Sequence, residues 1–350
     1  MAIRRIKNIT LKDIAHRLGV SAMTVSRALS ERDHLVSPET AQRCRQAARD
    51  MGYRPNLMAR SLRGEELHTI VMFAEHISSH HYLAALVDIV SQSIERRQFG
   101  VICCQSMSGF HQTLRNFRLA GAVVIAPPES FYADPYGERE LGALLQTPTV
   151  LIHSAVEQSV FNEVSPDITS LAFQAAEHLL GLGHLHLAYL GGPRFDLEPR
   201  WFALRRLGIE RAIRDAGAPM DLLHYQACPD ASLGPASLQQ LMTRWPQTTG
   251  IMCINDEIAL AAIEGAREMR LSVPDDLSVI GCNDIKIAQF FRPGLTTLAI
   301  DVRGMVETAL DLLFDEISDS REVPGREPIK IKLPATLMPR ESSAAPRRDA

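Results

Sequence analysis

TLKDIAHRLGVSAMTVSRAL, residues 10–29, decides how this chain begins. Thr10 stands three residues before Asp13, the spacing of a capping box, and Leu11, Ile14, Ala15 and Leu18 follow at helical spacing. Leu18-Gly19-Val20-Ser21 interrupts that pattern, and Gly19 supplies the positive φ that so tight a turn needs. Ser21 caps a second short helix, AMTVSRAL, whose inner side carries Val25, Ala28 and Leu29. A third helix follows, with Pro38 in its first turn and Gly52 at its end. Three short helices, two of them joined by a tight glycine turn, predict an all-α helix-turn-helix head over residues 1–54.

The charge distribution points the same way. Residues 1–64 hold thirteen Lys/Arg against five Asp/Glu, a local charge of +8, whereas the whole chain carries −4. The remaining residues therefore carry −12. A basic head on an acidic body predicts that the head alone meets a polyanion, here double-stranded DNA. The chain has 350 residues, 46% hydrophobic and 22% charged, the composition of a globular protein with more than one domain. MAIRRIKNITLKDIAHRL has no apolar core that suits a secretory signal, and no stretch has the length needed to cross a bilayer. The expected location is the cytoplasm, without a membrane.

Beyond a short segment, NLMARSLRG, strand and helix patterns alternate. HTIVMFA, FGVICCQ, GAVVIAP and PTVLIHS read as one series of buried parallel strands; LHLAYLGG, LLHYQAC, TGIMCIN, LSVIGCN and TTLAID read as a second. Amphipathic stretches such as YLAALVDIVSQSIERR and SLAFQAAEHLLGLG lie between them. Two such series predict two doubly wound α/β lobes over residues 67–340. A linker spans 55–66, and the polar residues 341–350 read as a disordered tail. The six cysteines show no CxxC or zinc spacing and read as small buried hydrophobes. His178, His184 and His186 predict no metal site, since His184 and His186 straddle a helix-to-strand junction. No GxGxxG after the first strand, no P-loop and no GxSxG elbow is present, so no cofactor and no enzyme are expected.

Residues 9–64 resemble the head of the lactose, galactose and purine repressor family of transcription regulators. Residues 255–298, NDEIALAAIEGAREMRLSVPDDLSVIGCNDIKIAQFFRPGLTTL, and GHLHLAYLGGP at 183–193 resemble its effector domain, which has the fold of periplasmic binding proteins. The resemblance implies a homodimer that reads a near-palindromic operator under the control of a small-molecule effector. It also implies that the second helix enters the major groove. A helix docked there presents its N-terminal residues to base edges and phosphates, and Ser21, Ala22, Met23, Thr24, Ser26 and Arg27 occupy that stretch. Ala22 and Met23 fill the two positions that set operator preference, and Arg27 is the candidate for a bidentate guanine contact. Thr10, Ser21 and Asn56 match phosphate or backbone anchors, Leu11 a base contact; helix capping accounts for Thr10 and Ser21 equally well. Ala59-Arg60-Ser61-Leu62 resembles the family's hinge helix, whose leucine, here Leu62, wedges into the minor groove.

For the sensor, the resemblance carries over His81, Tyr82, Asp167, Arg205, Asp256 and Asn283, with Asp256 either touching ligand or capping the helix that follows. Three departures stand out. Gly281-Cys282-Asn283-Asp284 puts a neutral amide where the family has a ligand-binding aspartate. The stretch from Gln105 to Ala122 is short, and the loop beginning Gly191-Gly192 is long. With Arg194, Arg200 and Arg205, the neutral Asn283 favours a sugar acid or sugar phosphate over a plain sugar. Alternatives are a sensor domain that has lost its ligand, or a solute-binding protein, which would lack the head.

Overall fold

The computed structural model describes residues 9–29, 35–53, 67–75, 77, 80–127, 142, 144–155, 159–192, 200–319 and 327–347. Contacts divide the chain into two units, residues 1–67 and 68–350.

In the first unit, α1 (Leu11–Leu18), α2 (Ala22–Ala28) and α3 (Pro38–Asp50) enclose a small core of Ile14, Ala15, Val25, Ala28, Ala41, Cys44, Ala47 and Ala48. The starts follow from side chains. The Thr10 hydroxyl accepts from the Asp13 amide and the Asp13 carboxylate accepts from the Thr10 amide, a complete capping box. The Ser21 and Ser37 hydroxyls cap α2 and α3 by accepting from the Thr24 and Thr40 amides. Gly19 ends α1 at φ 66°, the left-handed conformation that a residue with a Cβ resists. Val20 and Leu29 pack on this core only half-buried.

The second unit is two lobes, each with a six-stranded sheet. The strands are β1 (Leu67–Phe73), β2 (Gly100–Cys104), β3 (Leu119–Ile125), β4 (Thr149–Ile152), β5 (Asn162–Pro166), β6 (Leu187–Leu190), β7 (Leu223–Gln226), β8 (Gly250–Cys253), β9 (Ser278–Cys282), β10 (Thr296–Ile300), β11 (Lys330–Leu333) and β12 (Ala335–Met338). Between them run α4 (His81–Arg96), α5 (Met107–Asn116), α6 (Ile168–Gly181), α7 (Arg200–Asp215), α8 (Gly234–Arg244), α9 (Asp256–Glu268), α10 (Lys286–Phe290) and α11 (Val302–Ser318). The first sheet runs β11-β5-β4-β3-β1-β2 and the second β12-β10-β9-β8-β6-β7. The α/β architecture agrees with the reading from sequence, with one departure: β12 pairs antiparallel to β10, so the second sheet is mixed at its edge.

Among the described residues the chain passes between the lobes near 167, 301 and 334. Two crossings carry a helix cap. Asp167 accepts from the Ser170 amide at 3.0 Å and starts α6; Asp301 accepts from the Gly304 amide at 2.9 Å and starts α11. The Asp167 amide in turn donates to the Leu333 carbonyl at 2.8 Å, tying the first crossing to the third. The connections between lobes are therefore short and hydrogen-bonded, the form expected of hinges that move rigid halves.

The C-terminus corrects the expected disordered tail, because residues 341–347 are part of the second lobe. Ser342 is fully buried. Its hydroxyl donates to the Val279 carbonyl at 2.6 Å and accepts from the Thr296 amide at 2.8 Å, bridging β9 and β10. Arg347 pairs with Asp275 and Asp276. A polar segment with no core of its own is held here by satisfying backbone groups at the strand ends. The cysteines also divide: Cys44, Cys228, Cys253 and Cys282 are buried, but Cys103, on the edge strand β2, is exposed. No helix among the described residues is long and apolar enough to cross a membrane.

Candidate nucleic-acid interface and effector cleft

On the head, α2 buries Val25 and Ala28 and turns the opposite side outward. Met23 is 61% exposed, and Arg27, four residues on, is exposed on the same stripe. Ala22, Thr24 and Ser26 are half-buried beside them. The hydroxyls of Ser21 and Thr24 lie 2.8 Å apart, so Thr24 is drawn into the cap rather than projecting freely. Leu11 is half-buried against the head core, which leaves part of it for any outside contact. Asn56, Ala59 and Leu62 lie outside the described residues.

In the second unit, the residues expected at the effector site divide into three groups. Arg205 and Tyr82 are brought together with residues the sequence did not single out. Arg205, on α7, is 9% exposed and lies 5.3 Å over the Trp201 ring, its guanidinium donating to the Trp201 carbonyl at 3.4 Å. It lines a cavity of about 10 Å³ together with Tyr189, Met252, Cys282, Leu171 and Ala175. Tyr82, buried on α4, shares a hydrogen bond of 3.1 Å with Nδ1 of His153, at the carboxyl end of β4. Burial, with the nearby Arg205 charge second, lowers the His153 pKa to about 4, so the imidazole is neutral. The same guanidinium acts on Tyr82, Tyr189 and Cys282, whose pKa values burial drives up, Cys282 to about 12. Arg205 thus sits among neutral groups contributed by both lobes.

His81 and Asn283 form a second group, at the rim. The His81 side chain is 79% exposed, while its amide donates to Oε1 of Glu257 at 3.0 Å, joining the start of α4 to the first turn of α9 across the lobes. Asn283 is half-buried at φ 103° and Asp284 follows at φ 51°. Asn tolerates positive φ better than most residues, which gives it a backbone reason for its place. Asp284 pairs with Arg340 at 2.6 Å, so the C-terminal segment holds this turn.

Asp167 and Asp256 are hydrogen-bonded into the fold. Asp167 caps α6. Asp256 does not cap α9: the cap is Asn255, which accepts from the Ile258 amide. Asp256 is fully buried, accepting from the Thr297 hydroxyl at 2.5 Å and the Ile285 amide at 2.8 Å. Burial raises its pKa to about 7. Gly281 is required above it, since a Cβ there would collide with the Asp256 carboxylate. The histidines near β6 are likewise bonded into the fold: His184 engages Thr249 and the Ala344 carbonyl through its two ring nitrogens, and His178 engages Ser343.

Missed from sequence were His153, Tyr189 and Trp201. Their one signal was position, since His153 and Tyr189 lie at or near the carboxyl ends of parallel strands, where α/β sheets bind ligands.

Residues 10–56 match the profile described as bacterial regulatory proteins, lacI family, and residues 176–343 match the periplasmic binding protein-like domain. The chain belongs to the lacI family. The HTH-type transcriptional repressor CytR of Escherichia coli (strain K12) is 29% identical over 326 residues, 88% of this chain and 89% of that protein. The HTH-type transcriptional repressor PurR of Erwinia tasmaniensis is 28% identical over 351 residues, 97% of this chain and 98% of that protein. Among solved structures, the Lac repressor dimer bound to operator and an anti-inducer matches with a TM-score of 0.79 over 97% of this chain and 100% of that one, at 23% identity. Like these lacI-family relatives, the chain is a transcription regulator and not an enzyme.

Proposed function

We propose that this lacI-family protein is a transcriptional repressor that binds an inverted-repeat operator as a homodimer and is controlled by a small-molecule effector, a sugar or sugar acid. The exposed Met23–Arg27 face of a capped helix on a head of charge +8 supports this reading most directly. Ser21 and Thr10 serve as caps whose hydroxyls and neighbouring amides also suit phosphate contact. Arg27 reads guanine, and Met23 with Ala22 makes apolar contact with thymine methyls. Residues 55–66 act as a hinge helix, with Asn56 at a phosphate, Ala59 in the paired hinge and Leu62 wedged into the minor groove. A helix so short is marginal alone, so it forms only when two copies meet on DNA. The effector binds between the lobes, changes their angle and biases that pairing; effector and operator affinities are then reciprocally linked. A protein that reads chromosomal DNA works in the cytoplasm. In vitro selection from random duplexes with the full chain tests the reading. It should enrich an inverted repeat, and enrichment of a lone half-site would contradict the homodimer.

A further inference from the structure

Helix α4 of the first lobe starts without help from the residue before it: the N-cap, His80, makes no side-chain bond to the helix. A carboxylate of the second lobe takes that place. Oε1 of Glu257, in the first turn of α9, accepts from the His81 amide at 3.0 Å and lies 3.4 Å from Nδ1 of the same residue. The Glu257 side chain is only 14% exposed, so water competes weakly for the contact. A carboxylate at a helix N-terminus satisfies an amide that has no helical partner and suits the positive end of the dipole. A second carboxylate of that lobe faces the same point. Bonds from Ser232 hold the Asp230 carboxyl below its usual range, and His80 adds to the shift. Helix α9 asks nothing in return, since Asn255 caps it. The Glu257 contact therefore serves α4, and it exists only while the lobes stand as they do here.

Resting on the reading that the lobes change their angle, we propose that Glu257 is a latch between them: by capping α4 from α9 it holds this arrangement, and any change of angle has to give up that bond. The next residue of α4, Tyr82, is bonded to His153, so the latch also fixes the first lobe's side of the cleft. Glu257 is a positioning residue that acts through α4, and it sets how far the protein without effector favours this arrangement over others.

The cysteines report on the latch. Cys282 is 2% exposed and lines the cavity with Arg205. Burial, and after it Cys282, raises the pKa of Tyr82 on the first lobe, which places this thiol where the lobes meet. Cys44 in the head core and Cys228 in the second-lobe core are also buried, and they report on general loosening. The full chain, without effector, is treated with methyl methanethiosulfonate, and each cysteine peptide is followed by mass spectrometry. Glu257→Ala removes the cap. His81→Pro removes the donor from the other lobe, and proline suits the first position of a helix behind an extended His80. Each should speed Cys282 labelling about fivefold, the scale of one lost N-cap, and leave Cys44 and Cys228 at their wild-type rates. The double variant should be no faster than the faster single one. Glu257→Gln, which keeps an acceptor oxygen, should fall between Glu257→Ala and wild type. Wild-type rates at Cys282 in both single variants would overturn the latch and leave the effector reading untouched, because no effector is present. Cys228 accelerating in step with Cys282 would mean general loosening, and multiplied effects in the double variant would mean two unrelated defects; either result also overturns it.

Discussion

The head and the two-lobed sensor place their candidate recognition residues in opposite ways. The head buries alanines and a few branched residues and turns Met23 and Arg27 outward. The sensor draws Arg205 and the Tyr189 hydroxyl inward, among apolar side chains. Each suits its target. DNA is a polyanion too large to enclose, so its reader presents charge on an outer face, where water screens it. A small ligand can be enclosed, so its sensor can hold a charge in low dielectric, where one ion pair counts for more. The difference also predicts how each region fails. Loss of an outward-facing head side chain should fall mainly on binding, whereas changing a buried polar group in the sensor alters stability as well as recognition.

That contrast can be broken first at Arg27. Arg27→Ala should cost about 1–3 kcal/mol of operator affinity, the scale of a good bidentate base contact, and relax discrimination at one position of each half-site. Fluorescence anisotropy on matched and mismatched duplexes measures both affinities, and an undiminished preference would remove Arg27 from base reading.

A smaller effect sharpens the other side. Burial lifts the Asp256 carboxyl from 3.8 to about 7, so between those values the folded protein keeps a proton that the unfolded chain has released. The stability this contributes is complete below the unfolded value and is lost as pH rises through about 7. Asp256→Asn keeps the shape without the titration. Its Tm relative to wild type should therefore climb as pH rises from 4 to 8. Parallel pH profiles for the two proteins would show that Asp256 is not buried as a titrating acid.

The head was legible in the sequence because its logic is local. Capping needs residues three apart, as in Thr10 and Asp13, and the outward face needs residues four apart, as in Met23 and Arg27. The sensor's strands were also legible wherever they form apolar runs. β5 was not, because Asn162-Glu163-Val164-Ser165-Pro166 is polar; it is buried nonetheless, with the Ser165 hydroxyl donating to Glu163 and accepting from the Ser154 amide. Residues 341–347 were hidden for a related reason, since Ser342 is held by hydrogen bonds rather than by hydrophobic burial. The cleft was least legible of all. Tyr82, His153, Tyr189, Arg205 and Cys282 meet only through the crossing of two lobes, and no spacing in the chain announces that. Asp256 illustrates the cost: its place beside Asn255 suggested a cap, and only the fold gives the cap to Asn255 and sets Asp256 beneath Gly281.

The central claim is that the exposed face of α2 reads sequence and does more than attract a polyanion. Its most direct test is the ratio of affinities of the full chain for the selected inverted repeat and for a shuffled duplex of equal length, at one fixed salt concentration. A specific reader should favour the repeat by about 1,000-fold or more. A ratio near one would reduce the head to a basic patch and contradict the account.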